Sequence, residues 1–277
     1  MTSKDLNEAH DRQLGAFANV DKADSEDLIS RLDQMQALDA FRSYKGTTFE
    51  LLRLSPGTKA ADVGCGTGED ARALADMTGA EGEVIGFDLS EAMIAESCAR
   101  HSNVPSLRFA CASSDALKLP NDYLDGIRAD RVLIHVPDPS ATLDEMIRVT
   151  RRGGRIVLSE PDMPGFWVAS NDYATTALVV TTVASSCVTP FLPRDLWTLF
   201  RDRGLTDISY TVRAITSFDL SVVSKVLDFS AVLKLMVHNR LLDEPRAMEW
   251  SNDQQTRGRT GRFVAGLNMM VVAATKP

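Results

Sequence analysis

Asp62-Val63-Gly64-Cys65-Gly66-Thr67-Gly68-Glu69 is the stretch that decides the fold of this chain. It overlaps the end of an apolar run over 59–63, and a helical pattern resumes over 69–77. A strand, a glycine-rich turn and a helix in that order predict the start of an α/β unit. Three glycines at alternate positions are more than a simple turn needs. They allow the backbone to approach a ligand at the N-terminus of the helix, where N–H groups point outward.

The residues around this turn indicate which ligand it accepts. A dinucleotide fingerprint requires glycine at position 69, but Glu69 stands there and its carboxylate would face a pyrophosphate, so that ligand is disfavoured. Asp88 ends the second predicted strand, 20 residues after Gly68, where a carboxylate can hold a ribose diol. The glycine turn and Asp88 together therefore indicate an adenosyl ligand. The stretch 113–116 follows the third predicted strand and belongs to the same ligand-binding edge of the sheet.

Strands and helices alternate along most of the chain. After the first strand, predicted strands cover 83–87, 107–112, 124–136, 155–159, 207–215 and 262–274. Predicted helices cover 24–41, 48–52, 69–77, 90–101, 143–151, 171–187 and 193–203, and two further apolar-periodic segments cover 220–242 and 244–254. The arginine- and glycine-containing stretch 257–262 is interpreted as a loop that leads into the last strand, not as an RNA-binding segment.

The composition is that of an acidic globular protein. Of 277 residues, 44% are hydrophobic and 25% are charged, and 38 Asp and Glu against 30 Lys and Arg leave a formal net charge of −8. An acidic surface repels a phosphate backbone, so no nucleic-acid partner is expected. No run of 18 apolar residues occurs and charged residues follow Met1, so we expect no membrane segment and a cytoplasmic location. The four cysteines form no C-x-x-C pair and the four histidines no H-x-x-x-H, so no metal site is expected.

With these motifs, the sequence resembles the class I S-adenosylmethionine-dependent methyltransferases. The resemblance is to the small-molecule branch, which includes ubiquinone/menaquinone-type enzymes and bacterial natural-product enzymes. It covers roughly residues 40–160 and the last strand, and the stretches 125–139 and 148–155 look like further family motifs in family order. It implies an α/β fold, a Rossmann-like mixed sheet of seven strands with a helical N-terminal cap and helical lid insertions, and S-adenosyl-L-methionine as the cofactor.

The same resemblance implies a division of the chain into six regions. They are a helical cap over 1–56, a cofactor-binding Rossmann-like core over 57–160, a helical insertion over 161–192, a core helix and strand over 193–217, a helical lid over 218–257 and the last core strand over 258–277.

It also implies a set of cofactor-binding residues at one edge of the sheet. They are Asp62, Gly64, Gly66 and Gly68 for the methionine part, Asp88 for the ribose, Leu89 and Met93 packing on the adenine, and Asp115 and Ala116, flanked by Ser114, for the polar edge of the adenine.

Methyl transfer needs few catalytic groups, because the sulfonium methyl is already electrophilic and no covalent enzyme intermediate is required. The protein's task is to place the nucleophile in line with that methyl and to exclude water. His135, at the end of the fourth predicted strand, is the candidate base for a hydroxyl acceptor. A structural neighbour of the cofactor is the alternative interpretation of this histidine. Glu160, Asp162 and Tyr173 are alternative residues for orienting the acceptor.

The acceptor is expected to be a small, largely apolar molecule in an apolar pocket under a lid. That lid is inferred from apolar residues in and around the two insertions, which could also form an ordinary core: Trp167, Val179, Val180, Val183, Val188, Phe191, Val223, Val226, Leu227, Phe229, Val232, Leu233, Leu235 and Met236. His238 is expected to pack within the lid segment, and His10 and His101 are expected to be solvated.

We therefore expect O-methylation of a bacterial natural product. A non-methylating reaction such as cyclisation, and C- or N-methylation of a small molecule, are the alternatives. The assembly is left open, with a homodimer as one option. A macromolecular substrate is disfavoured by the charge and because 135–138 reads His-Val-Pro-Asp, where methyltransferases acting on exocyclic amines carry Asn-Pro-Pro-Tyr or Asp-Pro-Pro-Tyr.

Overall fold

The structure, a computed structural model, describes residues 25–277, with only the backbone described for Ser25, Asp27 and Ala40. The first 24 residues of the expected N-terminal cap, including His10, lie outside the described residues. Within residues 25–277, no helix has both the length and the apolar character that crossing a membrane would require.

The described chain alternates helices and strands around one sheet. Its helices are α1 (Ser25–Gln36), α2 (Asp39–Leu52), α3 (Glu69–Thr78), α4 (Glu91–Arg100), α5 (Pro139–Val149), α6 (Tyr173–Ala184), α7 (Leu192–Asp202), α8 (Leu220–Val226), α9 (Phe229–His238) and α10 (Glu244–Arg259). Its strands are β1 (Lys59–Val63), β2 (Glu83–Asp88), β3 (Leu107–Cys111), β4 (Leu124–Asp130), β5 (Thr150–Pro161), β6 (Trp167–Val168), β7 (Thr206–Ser217) and β8 (Ala265–Thr275).

The sheet has the strand order β3-β2-β1-β4-β5-β8, with β7 on the far side of β8. Strands β1 to β5 are parallel, and β8 runs antiparallel to both β5 and β7. The expected mixed sheet of seven strands is thereby confirmed, and the two-residue strand β6 adds an unpredicted eighth that pairs with the start of β8. Strand β1 lies between β2 and β4, so the chain changes direction across the sheet at β1, and the glycine turn opens at this switch point.

Burial explains why the central strands are apolar along nearly their whole length. Strands β1, β2 and β4 are buried except near their ends, because helices cover both faces of a parallel sheet. The helix after β2 begins where the sequence predicts. The Ser90 side chain accepts a 3.1 Å hydrogen bond from the Met93 backbone N–H, which satisfies one of the free donors of the first turn of α4.

Two element boundaries differ from prediction near the candidate base. The strand predicted over 124–136 ends at Asp130, because Arg131 has φ +61° and this left-handed conformation breaks the extended backbone. His135 therefore lies in a loop. The next helix begins at Pro139, earlier than predicted, because the Asp138 side chain accepts from the Ala141 N–H and proline favours the first helical position.

Three helical segments also differ from prediction. A break after Gln36 ends α1, and α2 then runs unbroken over Asp39–Leu52, so the stretch 42–45 is helical. The segment predicted over 220–242 forms two helices, because the Asp228 side chain caps α9. The interpretation of 257–262 as a loop is wrong for its first half, because α10 extends to Arg259, supported by a 2.7 Å ion pair between Arg257 and Asp253 one turn earlier.

The insertions build a second hydrophobic core beside the sheet. Val179, Val183, Val232 and Met236 are fully buried there, and the ring of Phe229 packs edge-on against another buried aromatic side chain. Most of the residues predicted to form the lid are thus part of a packed core, which agrees with the alternative interpretation of them. Of the same set, Trp167, Val188 and Phe191 are exposed.

Candidate functional site

The glycine turn between β1 and α3 is a backbone cradle. Gly64, Gly66 and Gly68 have φ values of +68°, +53° and +87°, in the left-handed region that favours glycine. A Cβ atom on Gly64 would lie 2.3 Å from Val132 Cγ2, and one on Gly68 would lie 2.7 Å from the Phe109 ring. The turn therefore has both the conformation and the close contacts that exclude side chains, directly before the N-terminus of a helix.

One hydrogen bond joins Asp88 to this turn, and a second joins it to the start of α4. Its Oδ2 atom accepts from the Gly66 N–H at 2.9 Å, and its Oδ1 atom accepts from the Ser90 N–H at 2.9 Å. A carboxylate has about four lone-pair sites and accepts hydrogen bonds from hydroxyl groups such as those of a ribose. The structure thus brings the predicted ribose acid and the predicted glycine turn together.

The two residues predicted to pack on adenine have different environments. Leu89 directly follows Asp88 and is 65% exposed, whereas Met93 is 2% exposed and packs against Leu28 of α1. Leu89 therefore presents its side chain at the sheet edge. Met93 forms the packed layer between α4 and α1.

The residues predicted to contact the polar edge of the adenine lie directly after β3, in the stretch 113–116. The Ala112 N–H donates to the Asp88 carbonyl at 2.9 Å, so the stretch 113–116 begins beside the end of β2. The exposed Asp115 carboxylate accepts from the Ser113 hydroxyl at 2.5 Å. Ser114 shares a 2.8 Å hydrogen bond with Thr142. These residues lie at the rim of the site.

Helix α1 covers the cradle. The Leu32 Cδ1 atom lies 3.2 Å from the position that a Cβ atom on Gly66 would occupy. Asp33 accepts two hydrogen bonds from the Arg100 guanidinium, at 2.7 and 3.0 Å. The sequence predicts a helical cap here, but only the packing shows that this helix lies directly on the glycine turn.

A buried cluster of charges beside the turn was not predicted. Arg128 is fully buried in β4, and its Nη1 atom donates to Asp62 Oδ1 at 3.1 Å and to Asp70 Oδ2 at 2.9 Å. The Lys45 ammonium donates to both Asp70 oxygens, at 2.9 and 2.8 Å. Asp62, predicted to hold the cofactor, is thus paired within the protein.

The charges in this cluster shift one another's protonation equilibria. Burial raises the pKa of Asp62 to about 7, opposed by the positive charge of Arg128. Burial would also raise the pKa of Asp70, but the charges of Arg128 and Lys45 hold it well below its usual range. Burial acts to lower the pKa of Arg128, and the surrounding carboxylates raise it above its usual value. The cluster therefore keeps Arg128 positively charged.

Four buried polar atoms of Arg128 and of its neighbours Asp130 and Arg131 have no hydrogen-bond partner among residues 25–277. They are the donors Arg128 Nε, Arg128 Nη2 and Arg131 Nε, and the acceptor Asp130 Oδ1. Val132, next in the chain, lies against Gly64, so these atoms adjoin the glycine turn. Two of these donors, Arg128 Nη2 and Arg131 Nε, lie 3.6 and 3.7 Å from Asp130 Oδ2, close enough for an ion pair but not for a hydrogen bond. Buried polar groups are nearly always hydrogen bonded, so this set of atoms suits a ligand that carries both a carboxylate and an ammonium group.

His135 lies in the loop after β4, held by a hydrogen bond from its N–H to the Val132 carbonyl at 2.9 Å. Burial, and secondly the charge of Arg131, lower the pKa of His135 to about 4, so its imidazole is neutral at neutral pH. From β5, Glu160 Oε1 accepts from the Val132 and Leu133 N–H groups at 3.0 and 2.7 Å. Glu160 therefore supports the backbone of the loop that carries His135.

The other two alternatives for orienting the acceptor, Asp162 and Tyr173, differ in their environments. Asp162 accepts hydrogen bonds from the Arg194 guanidinium at 2.9 and 3.1 Å, and Tyr173, the first residue of α6, is 81% exposed.

The prediction that His101 is solvated is wrong: it is 9% exposed, because it packs against the glycine turn. His238, predicted to pack within the lid, is exposed at the end of α9.

A family model described as a methyltransferase domain matches residues 54–202, which is more than half of the chain. The sheet order and the glycine turn at its switch point define a class I S-adenosylmethionine-dependent methyltransferase fold. The chain belongs to this methyltransferase domain family. S-adenosylmethionine is accordingly its cofactor.

The chain is similar to several other bacterial proteins. An uncharacterized 37.1 kDa protein in transposon TN4556 of Streptomyces fradiae is 33% identical over 251 residues, covering 90% of this chain and 71% of that protein. A demethylmenaquinone methyltransferase of Bacillus licheniformis is 32% identical over 147 residues, covering 51% of this chain and 63% of that enzyme. The match thus spans less than two thirds of that enzyme's length. The crystal structure of a putative methyltransferase from Bacillus halodurans shares the fold, with a TM-score of 0.59, 14% identity and coverage of 85% of this chain and 99% of that one.

Proposed function

We propose that this protein transfers the methyl group of S-adenosylmethionine to a hydroxyl of a small, largely apolar organic acceptor, in the biosynthesis of a bacterial natural product. The observation that carries the cofactor assignment is the set of buried polar atoms beside the glycine turn that make no hydrogen bond within residues 25–277. These atoms complement the zwitterionic amino-acid end of the cofactor, because buried donors and acceptors are costly unless paired.

The amino-acid end of the cofactor is assigned to the loop after β4 and to the buried cluster. Arg131 and Arg128 would donate to its carboxylate, and Asp130 would accept from its ammonium group. Asp62 would act mainly through Arg128, to which it is hydrogen bonded.

The adenosine is assigned to the ends of β2 and β3. Asp88 would accept from the ribose hydroxyls while it holds the Gly66 N–H. Leu89 would cover one face of the adenine, and Asp115 would contact its polar edge from the exposed rim. Gly64, Gly66 and Gly68 would let the cofactor approach the backbone closely. Met93 would pack behind the adenine, and Ser114 and Ala116 would line the rim of the site.

The bound cofactor would supply a sulfonium methyl carbon, which the acceptor oxygen attacks as the bond from that carbon to sulfur breaks. The protein positions the acceptor and excludes water, and proximity of this kind supplies several kcal/mol. Helix α1 contributes by covering the glycine turn, where Leu32 lies against Gly66.

His135 would accept the proton that the acceptor hydroxyl loses. Its low pKa keeps the imidazole neutral, but also makes it a weak base. The pKa of an ordinary phenol, near 10, is about 6 units above the pKa of about 4 of this imidazole. Proton transfer from such a phenol to His135 therefore costs roughly 8 kcal/mol. The positive charge of Arg131 beside His135 favours an acceptor oxygen that develops negative charge. The acceptor that these charges favour is therefore a hydroxyl more acidic than an ordinary phenol, such as an acidic phenol or an enol.

Calorimetric titration with S-adenosylmethionine, S-adenosylhomocysteine and NAD tests the cofactor assignment. We expect micromolar binding of the two adenosyl compounds and none of NAD. Absence of binding to both adenosyl compounds would contradict the proposal.

Incubation with S-adenosylmethionine and a panel of phenolic, polyketide and terpenoid compounds then tests the reaction by mass spectrometry and NMR. A product heavier by one CH₂ unit, with the new methyl on oxygen, supports the proposal. A methyl on nitrogen or carbon, or a cyclised product of unchanged mass, would identify one of the alternative reactions.

A further inference from the structure

His101 lies on the reverse side of the glycine turn. It follows the last residue of α4, and its Nε2 atom is 3.2 Å from the carbonyl oxygen of Thr67, in the middle of the turn. A Cβ atom on Gly68 would lie 2.9 Å from His101 Cδ2. The imidazole also packs on the Phe109 ring, with 5.9 Å between ring centroids. One side chain thus contacts two consecutive residues of the turn.

The chemistry of this contact determines the proton position on the imidazole. A backbone carbonyl oxygen only accepts hydrogen bonds, so Nε2 must carry a proton for the 3.2 Å contact to be a hydrogen bond. The same Nε2 atom is 3.7 Å from Glu69 Oε1, and a carboxylate also favours a protonated nitrogen. Thr67 and His101 are both buried, so water does not readily replace this bond if it is lost.

His101 is also joined to the cap through its neighbour in sequence. Arg100 donates to Asp33 of α1 at 2.7 Å and lies 3.5 Å from Glu69 Oε1. The end of α4 therefore contacts the cap and the first residue of α3 through Arg100, and the glycine turn through His101.

We infer that His101 is a positioning residue for cofactor binding. Its Nε2–H group orients the Thr67 carbonyl away from the ligand side, and its ring fills the space behind Gly68. Together these contacts hold the glycines of the turn in their left-handed conformations. The inference rests on the proposed binding of S-adenosylmethionine at this turn, and it assigns a role to a residue that would not touch the cofactor.

Three variants test this role by calorimetric titration with S-adenosylhomocysteine. His101→Gln retains an N–H donor that can reach the Thr67 carbonyl, whereas His101→Met is apolar and has no donor. His238→Met is the matched control, because His238 is exposed at the end of α9. We expect about tenfold weaker binding for His101→Met, which corresponds to about 1.4 kcal/mol and to one lost hydrogen bond. We expect His101→Gln to stay within about threefold of the unmodified protein, and His238→Met to bind equally well.

The outcomes separate this inference from the proposed function. If the unmodified protein binds no S-adenosylhomocysteine, the proposed function fails. If it binds and His101→Met binds as tightly, or if His101→Gln is as impaired as His101→Met, the inference is overturned.

A spectroscopic measurement on the unmodified protein covers the case in which His101→Met does not fold. The ¹⁵N NMR signals of His101 should show a proton on Nε2, in slow exchange with water. A tautomer with its only proton on Nδ1 would overturn the inference.

Discussion

The Nη1 atom of Arg128 lies 3.1 Å from Asp62 Oδ1, and both side chains are almost completely buried. This ion pair joins neighbouring strands, since Asp62 and Arg128 are register partners on β1 and β4. The acid that opens the glycine motif is therefore engaged inside the protein. The pair fixes the end of β1 from which the turn departs, and so connects the stability of the sheet to the geometry of the cofactor site.

Replacing Arg128 should destabilise the protein strongly. Arg128→Met leaves Asp62 and Asp70 buried without this cation, and removal of one partner from a buried ion pair costs about 3–5 kcal/mol. The control is Arg72→Met, which removes a largely exposed pair with Asp76 and should cost less than about 1 kcal/mol. Urea unfolding measures both values. Equal losses for the two variants would show that the buried cluster contributes no more than a surface pair.

Comparing Gly66→Ala with Gly57→Ala distinguishes the effect of backbone strain on stability from the effect of an added side chain on cofactor binding. Gly66 and Gly57 both have positive φ, +53° and +85°, so Gly66→Ala and Gly57→Ala should each cost about 1–2 kcal/mol of unfolding free energy. Gly66 lies against Leu32, whereas a Cβ atom on Gly57 would meet nothing within 4 Å. Only Gly66→Ala should weaken S-adenosylhomocysteine binding, by about tenfold or more, as measured by calorimetry. Similar affinities for the two variants would contradict the placement of the cofactor at the turn.

Two carboxylates at the site should differ in their importance for cofactor binding. Asp88→Ala removes charge-assisted hydrogen bonds to the Gly66 N–H and to the ribose, so the dissociation constant should rise at least about tenfold. Asp115→Ala should raise it no more than about threefold, because Asp115 is exposed and water competes for its hydrogen bonds. Titration with S-adenosylhomocysteine measures both. An unchanged constant for Asp88→Ala would rule out the ribose assignment.

His135→Ala should lower turnover while cofactor affinity stays the same. We expect about a 10²-fold loss on a hydroxyl acceptor, because general base catalysis contributes on that scale. The pKa of His135, lowered to about 4, keeps it deprotonated over the working range. Activity of the unmodified enzyme should therefore not decline between pH 8 and about pH 5.5, where a base with an ordinary pKa near 6.5 would become protonated. Full activity of His135→Ala would reject histidine as the base.

Glu160 should make stability depend on pH. Burial raises its pKa from 4.5 to about 8, so its carboxyl is neutral in the folded protein over a range in which it is ionised in the unfolded chain. Its contribution to stability is fully present below about pH 4.5 and is lost as the pH rises to about 8. At most roughly 5 kcal/mol of unfolding free energy disappears across that interval.

Glu160→Gln removes the titrating group and keeps an oxygen that can accept from the loop N–H groups. Unfolding by urea at several pH values should show a flatter profile for this variant, and exposed Glu249→Gln should leave the profile unchanged. Parallel profiles for Glu160→Gln and the unmodified protein would show that Glu160 does not titrate in this interval.

Local sequence patterns predicted most of the helices and strands, but they predicted the residues at which these elements begin and end less accurately. The alternation of strands and helices, the Ser90 cap and the turn at residues 64–68 all follow from residues near one another in sequence. The end of β4 could not be predicted in this way. It depends on the left-handed backbone conformation of Arg131, and arginine is not a residue type that indicates this conformation. The sequence left open whether the apolar residues of the insertions form a lid or a core, and the structure packs most of them into one buried cluster.

The sequence by itself determined the parallel core, the glycine turn and the acid at the end of β2, because periodic burial and left-handed glycines are local properties of the chain. Only the tertiary structure decided the partners of those groups. Arg128 pairs with Asp62, Lys45 with Asp70, and His101 with Thr67, across separations that no periodicity encodes. The physical reason is that an unpaired charge or polar group is costly when it is buried. The fold determines which side chain lies close enough to pair with it.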